Sequence, residues 1–314
     1  MTPTRRDLGL LAAAVSLAPG FARAEVRTPL VIANGAAAGG HPAGTRGAYE
    51  LVIKDGADFI EADLVASHDG ALVARRDHEL SATTDVAVHS EFVDRRTTKT
   101  FDGASLSGWF AEDFTLAELK SLDCGDPRTR RAGAARAAIL SLQELIDIAR
   151  AGSVRSARVI GIFAGMKRPA YFASIGLPLE ARLADTIRAN GYDSPAAALF
   201  VHAFESEALK TFGGICRARR VQRLDARIAA ADDLKAMRGW AEAVGPAGPL
   251  DAGLAPDAHA AGLLAFAWTA QAGASDLKAM FLSGVDGVRG DVPGLMTRAR
   301  RDAMAQGLRQ RRSR

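Results

Sequence analysis

Two acidic residues stand two positions apart in an otherwise apolar segment, residues 59–65. Successive side chains of a β-strand point to opposite faces, so Glu61 and Asp63 project to the same side of the strand. Two carboxylates that face one interior repel each other and lose hydration, and a divalent cation with oxygen ligands relieves both effects. From these residues alone, a metal site and a surface strand with two solvated acids both remain open.

The elements around this segment predict the fold that positions it. Eight apolar segments of strand length are separated by helical patterns, and no Gly-x-Gly-x-x-Gly motif follows the first strand. This alternation predicts a closed parallel (β/α)8 TIM barrel rather than an open doubly wound sheet. The predicted strands are Leu30–Ala33, Phe59–Val65, Ala71–Ala74, Ala157–Phe163, Ala198–Phe204, Arg220–Leu224, Gly262–Trp268 and Val285–Val288.

One stretch interrupts the alternation. Residues 89–114 are polar and rich in threonine, and they end on Trp109 and Phe110. Long connections in such barrels form the face that carries the active site. We therefore predict an insertion over that face, within a single barrel domain of residues 25–297.

Segments along the whole of this domain resemble the glycerophosphodiester phosphodiesterase family, in its periplasmic type. The segments that carry the resemblance are residues 45–51, 56–65, 69–73, 77–80, 84–87, 114–123, 139–145, 204–205, 268–269 and 284–288. The resemblance implies a TIM barrel of the PLC-like phosphodiesterase type. It also implies hydrolysis of glycerophosphodiesters to an alcohol and glycerol 3-phosphate, with calcium or magnesium.

The chain departs from this family where the family's catalytic residues lie. Family members carry a His-Arg-Gly motif after the first strand, and Asn34 and Gly35 replace its histidine and its phosphate-binding arginine. Ala43 replaces a loop glutamate, and Arg76 replaces the second histidine. Gly165 stands where the glutamate that serves as the third metal ligand is expected. None of the catalytic positions is therefore intact.

Three residues of the family's set remain. The resemblance assigns metal binding to Glu61 and Asp63 and phosphate binding to Lys167. Calcium takes 6 to 8 oxygen ligands, so two carboxylates predict only weak binding of Ca²⁺ or Mg²⁺. Charge balance suggests the hypothesis that Arg76 occupies the vacated pocket and pairs with one of these carboxylates in place of the metal.

Two functions follow from this pattern. The first is an exported phosphodiesterase of the family with a rearranged site, and the second is a catalytically silent barrel, a pseudoenzyme that binds a phosphodiester or headgroup or serves as an interaction scaffold. Asparagine does not titrate and arginine keeps its proton, so neither Asn34 nor Arg76 can transfer one. We expect His41, His78 and His202 to be ordinary polar residues rather than replacement catalysts.

The first 24 residues have the pattern of an export signal. Arg5 and Arg6 precede an apolar run over residues 8–17, and Ala22 and Ala24 form the small-x-small pattern that a signal peptidase recognises. This predicts a twin-arginine leader and a periplasmic or secreted protein. The apolar run is too short to cross a bilayer, so no stable membrane anchor is expected.

The net charge of +4 is unevenly distributed. The leader has a net charge of +2 and residues 298–314 one of +6, which leaves −4 on residues 25–297. We therefore expect a small-molecule ligand rather than nucleic acid, and a solvated basic tail over residues 298–314. For Cys124 and Cys216, two free thiols and a single disulfide both remain open, and the sequence identifies no protein partner.

Overall fold

The computed structural model describes residues 28–35, 41–125, 136–225, 231–246, 253–269 and 272–312, and the predicted leader lies outside them. Its strands are β1 (Leu30–Asn34), β2 (Phe59–Ala66), β3 (Leu72–Ala74), β4 (Thr97–Phe101), β5 (Ala104–Gly108), β6 (Gly161–Met166), β7 (Leu199–Ala203), β8 (Arg219–Leu224), β9 (Ala243–Pro246), β10 (Leu264–Trp268) and β11 (Gly287–Gly290). Eight of them pair in parallel in the order β1-β11-β10-β9-β8-β7-β6-β2, and β1 also pairs with β2. The predicted TIM barrel is confirmed.

Helices form the outer layer. They are α1 (Arg46–Lys54), α2 (Leu116–Ser121), α3 (Leu142–Ser156), α4 (Pro169–Ser174), α5 (Leu179–Ala189), α6 (Ser206–Ile215), α7 (Ala231–Met237), α8 (Leu254–Ala260), α9 (Ala274–Leu282) and α10 (Pro293–Arg312). The longest helix before α10 shows why they form: in α3, Ser141 and Glu144 make a capping box, and apolar residues repeat at helical spacing along the buried face. Amphipathic helices of this kind bury one side against the barrel.

The prediction of the eight barrel strands was wrong at one strand. Ala71–Ala74, predicted as a barrel strand, corresponds to β3, which pairs antiparallel with β2 and lies beside the barrel. A tight turn with Gly70 at φ +81° joins the two strands, so they form a hairpin. The missing barrel strand is β9, whose four residues Ala-Val-Gly-Pro lack the apolar pattern of a strand.

The stretch over residues 89–114 contains a 3₁₀ helix at Ser90–Arg95 and the β4–β5 hairpin. The hairpin turn reaches the carboxyl end of β6, where Asp102 accepts a hydrogen bond from Arg168 at 2.6 Å. At its base, the buried Glu112 accepts hydrogen bonds from Lys99 at 2.9 Å and Tyr171 at 2.6 Å. These contacts fix the hairpin to the barrel beside β6.

The prediction of a solvated tail is wrong for residues 298–312, the part of that segment that the structure describes. Residues 298–312 continue α10, in which Met296, Ala299 and Ala303 are buried. The guanidinium of Arg300 donates hydrogen bonds to Asp58 and to the Pro29 carbonyl. The apolar residues that repeat every three to four positions pack against the barrel, while the arginines between them reach water or a carboxylate.

Among the described residues, no helix is long and apolar enough to cross a membrane. Cys124 and Cys216 are both buried, and both are free thiols. Burial raises the pKa of each thiol, so neither is disposed to react.

Candidate functional site

The candidate site lies inside the barrel at the carboxyl ends of the strands. Inward-facing positions alternate along each strand, and the register sets Glu61 beside Asn34 on β1 and Asp63 beside Gly165 on β6. The next strand places His202 beside Gly165. The alternation therefore brings the two acidic residues of β2 into one interior layer with residues from three other strands.

Glu61 is only 3% exposed, and two basic side chains contact its carboxylate. Arg289 of β11 donates from Nε to Oε2 at 2.5 Å, and Nε2 of His202 lies 3.3 Å from Oε1. Burial alone raises the pKa of a carboxyl, but the Arg289 charge and the His202 contact outweigh burial and lower the pKa of Glu61 to about 2. Glu61 is therefore a charged, internally neutralised carboxylate.

The neighbouring carboxylate is less well compensated. Asp63 lies 4.0 Å from the ammonium nitrogen of Lys167, the residue to which phosphate binding was assigned. Burial and the charge of Glu61 raise the pKa of Asp63, and they outweigh the effect of Lys167. The Lys167 side chain is about one-third exposed, so its ammonium can also reach a ligand in the mouth of the barrel.

At two glycines of the site, Gly165 and Gly35, side chains of other residues occupy the space that a Cβ would take. A Cβ at Gly165 would overlap the His202 ring and lie 2.6 Å from Oδ1 of Asp63. A Cβ at Gly35 would lie 2.7 Å from Cζ of Tyr49, whose hydroxyl donates to the Glu61 carbonyl at 3.0 Å. Neighbouring side chains therefore fill the space that a larger residue at either position would need.

The hypothesis that Arg76 replaces the metal is wrong. Arg76 and Ala43 are exposed, and the guanidinium beside Glu61 belongs to Arg289. Arg76 follows the antiparallel strand β3, whereas β11 neighbours β1 inside the barrel. His202, by contrast, lies within the site, beside Gly165 on the neighbouring strand and 3.3 Å from Glu61. That it is not a replacement catalyst stays a prediction.

The other two histidines lie outside this interior layer. His41 is exposed, and its ring covers Gly47 at the start of α1. His78 is buried among aromatic rings, with Nδ1 3.4 Å from Glu112. Neither ring therefore lies in the layer of Glu61 and Asp63, and that neither is a replacement catalyst stays a prediction.

The residues around Glu61 do not fit a calcium or magnesium ion. Both carboxylate oxygens of Glu61 face nitrogen atoms of basic groups, and a divalent cation at the same oxygens would be repelled by Arg289. Within the described ranges, no group of three His, Cys, Asp or Glu residues could hold a metal ion. Since calcium needs 6 to 8 oxygen ligands, we derive no chemistry through a metal at this site.

A second arginine reaches the same layer from β8. The guanidinium carbon of Arg223 lies 4.0 Å from the ring centroid of Trp268 and 4.6 Å from that of Phe204. Its Nε is buried and has no hydrogen-bond partner among the residues that the structure describes. Desolvation lowers the pKa of Arg223 to about 10, although the charges of Glu61 and Asp63 partly oppose the shift. At neutral pH the group remains a cation.

Sequence reasoning missed Arg289 and Arg223 as site residues. Each occupies an inward position near the carboxyl end of a barrel strand, two residues after a buried one: Gly287 on β11 and Val221 on β8. The sequence signal that could have identified them is an arginine at an inward position near the carboxyl end of a barrel strand, because such positions line the mouth of a TIM barrel.

Comparison with known proteins identifies the family of the chain. A model of the glycerophosphoryl diester phosphodiesterase family matches residues 36–295. The chain belongs to this family. The phosphodiesterase barrel therefore carries, in this member, an internal Arg289–Glu61–His202 cluster at the position that the family resemblance assigns to a metal ligand.

Relatives within the phosphodiesterase family match over part of their length. Glycerophosphodiester phosphodiesterase GDPD6 of Arabidopsis thaliana is 35% identical over 52% of this chain and 45% of its own length. A glycerophosphodiester phosphodiesterase of Haemophilus influenzae is 24% identical over 64% of this chain and 57% of its own length. The match thus spans about half the length of these relatives.

A solved structure shows the same fold. A phosphodiesterase of Oleispira antarctica, determined in complex with the product sn-glycerol-3-phosphate, superposes with a TM-score of 0.67 at 21% identity. The superposition covers 87% of this chain and 96% of the Oleispira chain. The phosphodiesterase family's barrel is therefore present over nearly the whole described length.

Proposed function

We propose that this chain binds glycerophosphodiesters at the carboxyl mouth of its barrel and does not hydrolyse them by the two-histidine, metal-dependent route that the family resemblance implies. The observation that carries the proposal is the Arg289 guanidinium, 2.5 Å from the carboxylate of Glu61. It provides a permanent positive charge where the family's route needs a divalent cation.

The binding part of the proposal rests on the basic groups of the mouth. Lys167, Arg223 and Arg289 approach one interior layer from three strand ends. The Lys167 ammonium lies 4.0 Å from Asp63, and no carboxylate of the described residues pairs with Arg223. Phosphate oxygens are strong acceptors for guanidinium and ammonium groups. A phosphodiester is the charged part that all members of this ligand class share.

The second part of the proposal, the loss of hydrolysis, rests on the residues at the positions of the family's two histidines. A general acid or base contributes about 10² to 10⁴-fold to a rate. Asn34 cannot titrate, and Arg76 is an exposed cation outside the interior layer. Loss of both proton-transfer groups should therefore lower turnover by several orders of magnitude.

Hydrolysis is the second candidate, and two observations favour it. The chain belongs to a family of phosphodiesterases, and the relatives above carry that activity in their names. The site also retains one titratable ring, because His202 contacts Glu61 at 3.3 Å. In this alternative His202 would transfer the proton that the family's histidines transfer.

One experiment separates the two candidates. Release of glycerol 3-phosphate from glycerophosphocholine should stay at the level of a no-protein control, in calcium, in magnesium and in chelator. Calorimetry with glycerophosphocholine on the same sample should show binding that chelator leaves unchanged. Turnover that His202→Gln abolishes would overturn the proposal in favour of hydrolysis, and so would turnover that chelator abolishes. Absence of both turnover and binding would reject both candidates.

We also propose that the chain is exported through its first 24 residues. Mass spectrometry of the protein from a periplasmic extract should give a chain that begins at Glu25. Replacing Arg5 and Arg6 together by lysine should retain the full-length chain in the cytoplasm, whereas replacing Arg301 and Arg309 by lysine should not. A full-length chain in the extract of the unaltered protein would contradict the cleavage.

A further inference from the structure

We propose that Arg223 is the residue that anchors the phosphate group of the ligand. This inference rests on the binding function proposed above and names the side chain that provides it. Neither the family resemblance nor the sequence assigned Arg223 a role, and the position follows Gln222 near the end of β8.

The surroundings of Arg223 hold its guanidinium in place without neutralising it. The rings of Phe204 and Trp268 lie 4.6 and 4.0 Å from the guanidinium carbon. A guanidinium that stacks on aromatic rings gains cation–π energy and loses rotational freedom, so less entropy is lost when a ligand binds. Glycine at position 245 leaves the space that the Trp268 ring occupies.

Arg223 differs in this respect from Arg220 and Arg289. On the same strand, Arg220 pairs with Glu242 at 2.6 Å, and on β11 Arg289 pairs with Glu61 at 2.5 Å. Arg223 has no such carboxylate within the described ranges, and its buried Nε has no hydrogen-bond partner. A desolvated cation without a partner destabilises a fold, so its retention at the mouth indicates a ligand.

A second unsatisfied donor lies in the adjacent ring. Trp268 is 8% exposed, and its buried Nε1 has no hydrogen-bond partner in the part of the chain that the structure describes. The guanidinium presents paired N–H groups that match two oxygens of a phosphate, and the indole presents a further N–H. The chemistry shared by such ligands is a tetrahedral phosphate with at least two free oxygens, whether in a diester, a monoester or inorganic phosphate.

Binding of three probes to matched variants tests the assignment. The probes are glycerophosphocholine, glycerol 3-phosphate and inorganic phosphate, with glycerol as the uncharged control, all measured by calorimetry. Arg223→Met should weaken binding of the tightest probe about 10- to 100-fold, as expected for loss of a charge-assisted bidentate contact. Arg223→Lys should retain part of that affinity. Arg217→Met, at an exposed position two residues before the same strand, should bind as the unaltered protein does.

Stability distinguishes an anchoring role from a structural one. Because the Arg223 guanidinium is unpaired, Arg223→Met should leave the melting temperature unchanged or raised while affinity falls. Equal affinity of Arg223→Met and the unaltered protein for every probe would overturn the assignment. Phosphate binding that depends on Arg223, with no binding of glycerophosphocholine, would retain the assignment and overturn the proposed function. If no probe binds at all, both are rejected.

Discussion

Replacing Arg289 by methionine should lower the free energy of unfolding at pH 7 by about 3–5 kcal/mol. The substitution leaves the carboxylate of Glu61, which is 3% exposed, without the guanidinium that now contacts it at 2.5 Å. A buried charge that loses its partner retains the full desolvation penalty. Urea unfolding followed by circular dichroism measures the difference.

Two further variants show whether the loss comes from this pair. Glu61→Gln combined with Arg289→Met should recover much of the stability, because it removes both charges. Arg220→Met should lower stability by no more than about 1 kcal/mol, since its partner Glu242 is more than one-third exposed. Equal stability of Arg289→Met and the unaltered protein at pH 7 would contradict the buried pair.

The same pair predicts how stability changes with acid. The pKa of Glu61 is about 2 in the folded chain, below its ordinary value of 4.5. A lowered pKa means that this stabilisation is complete above pH 4.5 and is lost as the pH falls towards 2. The stability difference between the unaltered protein and Arg289→Met should therefore shrink over that interval.

Gly165→Glu should lower the free energy of unfolding by about 3 kcal/mol or more, because the new side chain meets filled space and adds a third carboxylate. Its Cβ alone would overlap the His202 ring and approach Oδ1 of Asp63 to 2.6 Å. Thermal unfolding by circular dichroism measures the effect. Gly165→Ala adds only the Cβ and should cost about 1–3 kcal/mol, which keeps the measurement possible where the glutamate variant does not fold.

A matched control for these variants lies in α6. A Cβ at Gly214 would have no neighbour within 4 Å, so Gly214→Ala should be neutral or slightly stabilising. In a His202→Ala background, Gly165→Ala should cost less than in the unaltered protein. If Gly165→Ala is as harmless as Gly214→Ala, His202 does not fill the space beside Gly165.

The barrel was predictable from the sequence because its signals are local. Apolar strands such as β2 and capped helices such as α3 form from patterns of their own residues. β9 was missed because Ala-Val-Gly-Pro has no strand pattern, and only its pairing with β8 and β10 makes it one. β3 is the opposite case. Its apolar residues predict a strand, but they do not indicate whether that strand pairs parallel or antiparallel with β2.

The chemistry of the site was predictable only in part. The period of a strand predicted that Glu61 and Asp63 share one face, and the resemblance suggested which positions differ from the family's catalytic set. It did not identify the new partner of Glu61, because Arg289 is 228 residues away in sequence and meets it through closure of the barrel. A contact between residues so distant leaves no local pattern to read.

That closure also bears on how the chain folds. β1 pairs with both β2 and β11, and Asp58 takes hydrogen bonds from the backbone N–H of Val31 and from Arg300 of the last helix. Until β11 has been synthesised, the growing chain exposes the unpaired edges of an open sheet. Contacts of such long range form slowly, so closure of the barrel is a late step of folding.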